Sequence, residues 1–400
     1  MLRKVAFVLS VLLLFTLFLT SCKSETPAPS NSPSPSASQS PSAVVPSVNL
    51  SNLSTFDKFI RPKVVTDRKM KLAYFVGSID QEDDQRMYHQ MHIEEGIRDW
   101  EVQYIDVSGG EEAIRTGWLT AINMEVDAIL IAQMDSLANK MDLIVQAREA
   151  GIGVYAVDSV GLPGVITNFT TPMGVAALEL FYQVASDMDW NGNFCISTAY
   201  TYMSVLERTL PVYSYLTNGQ IFPGLALLDE QSVDFGNVLS PPEQCYQFMQ
   251  TWNQKYGKDI NAVFIGADPD AQVMNESAKS AGRTPDDLVM FTIGGSPNVI
   301  EEMRDPSCCV WYNYALPWEL YTHNMCELAY QIQVLGYSPG DGNCMISSAG
   351  GSTNIKGAIV AKLALPAIGE SLHKTFDYYD PNNKDGWFFW EVPGYGIPTY

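Results

Sequence analysis

From Lys69 onward, short apolar runs rich in β-branched residues alternate with longer stretches whose apolar positions recur at helical spacing. Residues 72–76, 102–107, 128–132 and 153–157 read as strands. Between them, 85–100, 111–124 and 137–150 read as helices; Leu137, Met141 and Ile144 share one face of the last. Strands that are continuously apolar rather than alternating are buried on both faces, as in a parallel sheet covered by helices. A second series follows, with strands at 194–197, 225–228, 262–266 and 289–293 and helices at 175–188, 205–216, 242–256 and 270–281. Two successive series of this kind predict an α/β protein with two doubly wound parallel-sheet lobes. Such sheets bind ligands outside the carboxyl ends of their strands, so the polar residues just after each strand are the candidate contacts.

The N-terminal pattern is different. Arg3 and Lys4 precede an apolar run from Val5 to Leu19, too short to span a bilayer comfortably and suited to a signal-peptide core. It ends in Leu19-Thr20-Ser21-Cys22, which resembles a bacterial lipobox and implies cleavage before Cys22 and acylation of that residue. Segment 1–22 is therefore expected to be a lipoprotein signal peptide, with lipid as the only membrane anchor. Residues 23–55 are dominated by Ser, Pro, Ala and Asn. Their apolar surface is too small to offset the entropy of ordering, so they read as a disordered tether. At about 3 Å per residue in extended form, such a tether holds a domain tens of ångströms from the membrane.

Composition narrows the class. A formal net charge of −21 argues against nucleic acid, whose phosphates are met by Lys and Arg. Cys195, Cys245, Cys308, Cys309, Cys326 and Cys344 remain after Cys22, with no CxxC pair and no zinc spacing. Export permits disulfides, buried apolar thiols are the plainer reading, and pairing stays open. His89 and His92 share a helix face without the carboxylate pattern of a metalloenzyme. Asp380–Gly386 looks superficially like a calcium loop, but its Gly is displaced by one position and Lys384 stands at a ligand position. No phosphate-binding loop, nucleophile elbow or dinucleotide fingerprint occurs. No metal or cofactor is expected, and the chain does not read as an enzyme.

Six segments in register resemble the type I periplasmic-binding-protein family, the ribose- and galactose-binding relatives that share a core with LacI-type repressors. They are Val126-Asp-Ala-Ile-Leu-Ile-Ala-Gln-Met-Asp135, Ala147-Arg-Glu-Ala-Gly-Ile-Gly-Val-Tyr-Ala-Val-Asp158, Glu207-Arg208, Asn261-Ala-Val-Phe-Ile-Gly-Ala-Asp268, Ala278-Lys-Ser-Ala-Gly-Arg283 and Phe291-Thr-Ile-Gly-Gly-Ser-Pro297. The resemblance implies two lobes joined by a three-crossover hinge that closes on ligand. It assigns 69–168 plus 313–350 to the N-terminal lobe and 169–312 plus 351–375 to the C-terminal lobe. The aromatic tail 376–400, with Trp387-Phe-Phe-Trp390, is expected to pack along a lobe or a partner. A signal peptide and tether stand where a repressor would carry its DNA-binding helices, which excludes that branch.

By the same resemblance, Asp158 and Arg208 contact ligand. A desolvated carboxylate accepts from two hydroxyls, and a guanidinium offers five donors in a fixed fork. Asp80 and Gln81 after the first strand, Ser159 after the fourth, and Asp268 after the Ala-Val-Phe strand complete the polar set. Trp311 and Asn313, beside Tyr312, Tyr314 and Trp318, surround the expected third crossover and offer ring-stacking faces and an amide. Several positions depart from the family. Ser159 replaces an Arg, Ala267 an Asn, Gly294 an Asp and Ala132 an Asn, each removing a partner worth about 1 kcal/mol in a buried site. These losses argue against a pentose or hexose held in the family's usual way. The resulting expectation is the extracytoplasmic binding subunit of an ABC importer for a carbohydrate-like or other small polar solute, lipid-anchored on the cell membrane and docking on permease subunits. The alternative is a lipid-anchored sensor presenting its liganded state to a receptor kinase; a hydrolase or transferase would need a catalytic pair that the sequence does not supply.

Overall fold

The computed structural model describes residues 61–77, 81–132, 137–159 and 161–368. The signal segment with Cys22, the tether 23–55, Asp80, Asp380–Gly386 and the tail 376–400 lie outside the described residues.

The first lobe opens with β1 (Lys71–Val76), α1 (Glu82–Arg98), β2 (Glu101–Asp106), α2 (Glu111–Asn123), β3 (Ala128–Ile131), α3 (Met141–Glu149), β4 (Gly153–Val157) and β5 (Thr167–Thr170). The second lobe follows with α4 (Met173–Asp187), β6 (Gly192–Thr198), α5 (Met203–Thr217), β7 (Leu225–Ser232), α6 (Pro241–Tyr256), β8 (Ala262–Ile265), α7 (Asp268–Ser280), β9 (Val289–Gly294), α8 (Pro297–Met303) and β10 (Val310–Ala315). The chain returns to the first lobe in α9 (Trp318–Gln333) and β11 (Gly351–Asn354), then re-enters the second with β12 (Ala358–Ala361).

The sheets have orders β11-β5-β4-β3-β1-β2 and β12-β10-β9-β8-β6-β7. Every pairing is parallel except β10 with β12, which is antiparallel. The reason lies in the side chains: β3 and β4 are apolar and wholly buried, whereas the edge strand β2 carries polar residues and is partly exposed. In each sheet the strand order reverses once, between β1 and β3 and between β6 and β8, which opens a crevice at their carboxyl ends.

Among the described residues three crossings join the lobes, at 171–172, 316–317 and 355–357. Thr171 hydroxyl contacts the Tyr321 hydroxyl and donates to the Ile355 carbonyl at 2.7 Å, tying the first and third crossings to α9. Trp318, wholly buried, donates its indole N–H to the Gly294 carbonyl at 3.0 Å. One apolar cluster runs through these crossings from Tyr155 and Phe169 to Phe194 and Phe291, so the lobes share a core.

The boundaries differ from the expectation. β11 pairs with β5 in the first sheet, although residues from 351 were expected in the second lobe, and Asn313 lies in β10 of the second sheet. The crossing beside Trp318 is the second along the chain, not the third. The strand expected at 225–228 continues to Ser232, and the helix expected at 137–150 begins as a 3-10 turn over Leu137–Lys140.

Candidate functional site

Asp158 stands immediately after β4 with a positive φ of 44°, a conformation that side-chain-bearing residues adopt at a cost of about 1–3 kcal/mol. Neighbouring bonds hold it there. Its N–H donates to the Phe169 carbonyl at 2.9 Å. The fully buried side chain of Asn168 clamps the next peptide, accepting from the Ser159 N–H at 2.9 Å and donating to the Ser159 carbonyl at 2.7 Å. Asp158 Oδ1 accepts from the Thr170 hydroxyl at 3.1 Å, while the buried Oδ2 makes no hydrogen bond.

Arg208 approaches from the second lobe on α5. Its Nη1 donates to the carbonyls of Gly266, just past β8, at 2.9 Å and of Ile293, near the end of β9, at 3.3 Å. Its Nη2 is 3.9 Å from Asp158 Oδ2, and its buried Nε makes no hydrogen bond. The two residues thus face each other between the lobes, with one acceptor atom and one donor atom left over. Burial raises the Asp158 carboxyl above its ordinary range, opposed by Arg208 and Thr170.

Asp268 and Asn313 use their polar atoms within the second lobe. Asp268 accepts from Thr292 at 3.0 Å, the Ser296 N–H at 2.7 Å and Asn313 Nδ2 at 2.9 Å. Asn313 accepts from the Gly295 N–H at 3.0 Å. Together they fix the turn from β9 to α8, and a Cβ at position 294 would stand 2.5 Å from the Asp268 carboxyl carbon. The Gly at 294, read above as a lost ligand contact, is thus the space that this carboxylate fills. Gln81 is exposed at the N-cap of α1, and Ser159 is half-buried with its backbone held by Asn168. Trp311 lies at the opposite end of β10 from the crevice, its indole donating to the Pro285 carbonyl at 3.2 Å, and the structure does not bring it to Asp158 and Arg208.

The first turn of α1 adds residues that sequence reasoning missed. Arg86 forms a two-point pair with Glu319 of α9, at 2.6 and 2.8 Å. It also donates across the gap to the carbonyls of Gly295 at 2.8 Å and Leu316 at 3.2 Å. Glu82 accepts from the Asn298 N–H at 3.3 Å, a second contact between the lobes. Asp83 is half-buried, and burial holds its carboxyl well above the usual range; Arg86 and Arg208 oppose that rise, and Asp268 and Asp84 add to it. Glu82, Asp83 and Asp84 also stand in the first turn of the helix, where carboxylates favour its start. Nothing near Arg86 in sequence points to Glu319.

The described cysteines are unbridged, and burial raises Cys195 and Cys308 to about 12 and Cys309 to about 11, so these thiols are inert. Among the described residues no group of three His, Cys, Asp or Glu is placed to hold a metal, and no helix is long and apolar enough to cross a membrane.

No protein-family model matches the sequence, and no curated protein matches it by sequence. Solved structures do resemble it. An ABC sugar transporter subunit from Rhodobacter sphaeroides aligns with a TM-score of 0.62 at 18% identity, over 74% of this chain and 98% of that one. An ABC transporter solute binding protein from Agrobacterium vitis, with bound allitol, gives 0.62 at 18% identity, over 74% and 96%. One from Bacillus halodurans, with bound myo-inositol, gives 0.61 at 15% identity, over 74% and 95%. Two parallel-dominated α/β lobes, three crossings and these neighbours together establish that the chain has the type I periplasmic-binding-protein fold.

Proposed function

We propose that the protein is the exported, lipid-anchored substrate-binding subunit of an ABC importer and that it holds a sugar or polyol between its lobes. It is a binding protein rather than an enzyme in this reading, and Cys22 is its lipidation site. The observation that carries it is the pair of unused buried atoms, Asp158 Oδ2 and Arg208 Nε, on opposite lobes. A hydroxyl group accepts from one and donates to the other in the same position, which a purely accepting or donating group does not. Each buried polar atom left unmade costs about 1–3 kcal/mol, so a polyol gains by filling both. The neighbours with bound allitol and myo-inositol support this ligand class.

The test is thermal unfolding of the purified mature chain against monosaccharides, oligosaccharides, polyols, nucleosides and amino acids. A ligand present at a hundred times its Kd adds about 2.7 kcal/mol to stability and raises the midpoint by a few degrees. A shift with a sugar or polyol is the expected result, and a shift only with nucleosides or amino acids contradicts it. Permease and ATPase genes beside the coding sequence accompany an importer, whereas a histidine kinase and regulator alone accompany a sensor.

A further inference from the structure

A cluster of aromatic side chains breaks the surface of the second lobe at the end away from the crevice. Trp190 lies just before β6 and Phe222 just before β7, and their rings stack at 4.9 Å with 21° between the planes. Tyr182 of α4 joins them at 6.2 and 6.3 Å, and half-buried Tyr215 of α5 packs 5.4 Å from Phe222. Trp190 is 39% exposed, Tyr182 37% and the neighbouring Ile221 47%. The chain bends sharply to present Trp190: Asp189 and Trp190 have φ of 51° and 57°, a left-handed region that residues with side chains rarely enter. The Trp190 N–H holds the bend by donating to the Ala185 carbonyl at 2.7 Å, and the Gly192 N–H donates to the Gly224 carbonyl at 2.9 Å. A contiguous exposed apolar patch of this kind marks an interaction site.

The size and place of the patch point to its occupant. These few side chains fall well short of the about 20–30 residues a side that a stable complex between separate molecules uses. A segment of the same chain needs less, because it meets the patch at an effective concentration on the order of millimolar. The described chain also stops at the same end of the sheet. β12 runs antiparallel to β10, away from the crevice, and its last residue, Ala361, pairs with Tyr312. The Tyr312 hydroxyl bonds the carboxylate of Asp187, at the end of α4 and shortly before Trp190. Lys362 then donates to the carbonyls of Asp305 at 2.8 Å and Pro306 at 3.3 Å, ahead of β10, and the Ala367 carbonyl accepts from Arg304 at 3.0 Å. Residues 369–400 lie outside the described residues, and their sequence includes Trp387-Phe-Phe-Trp390. The stretch 369–386 can span up to about 60 Å when extended, more than the width of one lobe.

We propose that the segment Trp387–Trp390 docks on the patch of Tyr182, Trp190 and Phe222, ring against ring, at the outer end of the second lobe. Aromatic pairs add specific ring contacts to the gain from burying their area. Docked there, the segment leaves the Asp158–Arg208 pair uncovered, so ligand entry does not require its release.

The experiment is photocrosslinking of the purified mature chain carrying benzoylphenylalanine in place of Phe389, with digestion and mass spectrometry of the monomer and dimer bands. Crosslinks within one chain to the peptides holding Tyr182, Trp190 or Phe222 are expected. Their yield is expected to fall severalfold in Trp190→Ser and, should that variant fail to fold, in Tyr182→Ser, which alters only an exposed helix position. Crosslinks confined to other parts of the same chain overturn the inference, as does an unchanged yield in the folded variant. Crosslinks to the patch between two chains give the surface to a second copy and overturn it too. A chain that forms no crosslink at all overturns it as well.

Discussion

Asp158 concentrates several costs in one residue: a left-handed backbone, a buried carboxylate and an oxygen without a donor. Asp270 shows the same tension outside the crevice. Burial raises its carboxyl to about 6, with a smaller push from Asp268 and relief from a bond with Cys245. A carboxyl higher in the folded than in the unfolded state binds more protons when folded, so stability falls as pH rises from about 4 to about 6. Asp270→Asn is therefore expected to stabilise the protein by about 1–2 kcal/mol at neutral pH and to have little effect near pH 4. Urea unfolding at the two pH values checks this, and equal effects at both would contradict it. At this scale the sequence was informative where chemistry follows a strand end directly, as at Asp158. It was uninformative for Asn168 and Glu319, because one acts by clamping a neighbouring strand's turn and the other meets Arg86 only across a sequence separation of 233.

Among the elements, the turn from β9 to α8 does the most to define the crevice. Asp268, Asn313 and Ser296 hold it from within the second lobe, and Arg86 grips its Gly295 carbonyl from the first. Gly295 has φ 81°, and a Cβ there would stand 2.7 Å from the Ala315 Cα. Gly295→Ala is expected to cost about 2 kcal/mol or more, through left-handed strain and a backbone clash, and chemical denaturation measures it. A loss below about 0.5 kcal/mol would show that the turn relaxes easily. Apart from β5, the buried strands up to β9 and the helices up to α7 were legible from apolar spacing alone, whereas β10 and the buried helix α9 were not read. The strands β5 (Thr-Asn-Phe-Thr) and β11 (Gly-Ser-Thr-Asn) were not, since four residues with a polar majority carry no periodic signal, and β11 exists only because β5 offers it an edge.

For the whole molecule, two apolar series were enough to predict two doubly wound lobes, but not where the chain crosses between them. That depends on which short terminal strand finds which sheet edge, and tertiary pairing decides it rather than local sequence. The lobes meet through Arg86 and Glu82, through the three crossings, and through the Asp158–Arg208 pair at 3.9 Å. In the proposed function, a ligand seated on that pair would touch both lobes at once and favour their closed arrangement. The most direct test is calorimetric titration of the mature protein and of the double variant Asp158→Asn, Arg208→Gln with whichever sugar or polyol shifts the wild-type melting point. Saturable one-site binding to the wild type is expected, with a loss of at least about a hundredfold in the variant, the value of two buried polar contacts. Unchanged affinity in the double variant would contradict it and place the ligand elsewhere on the molecule.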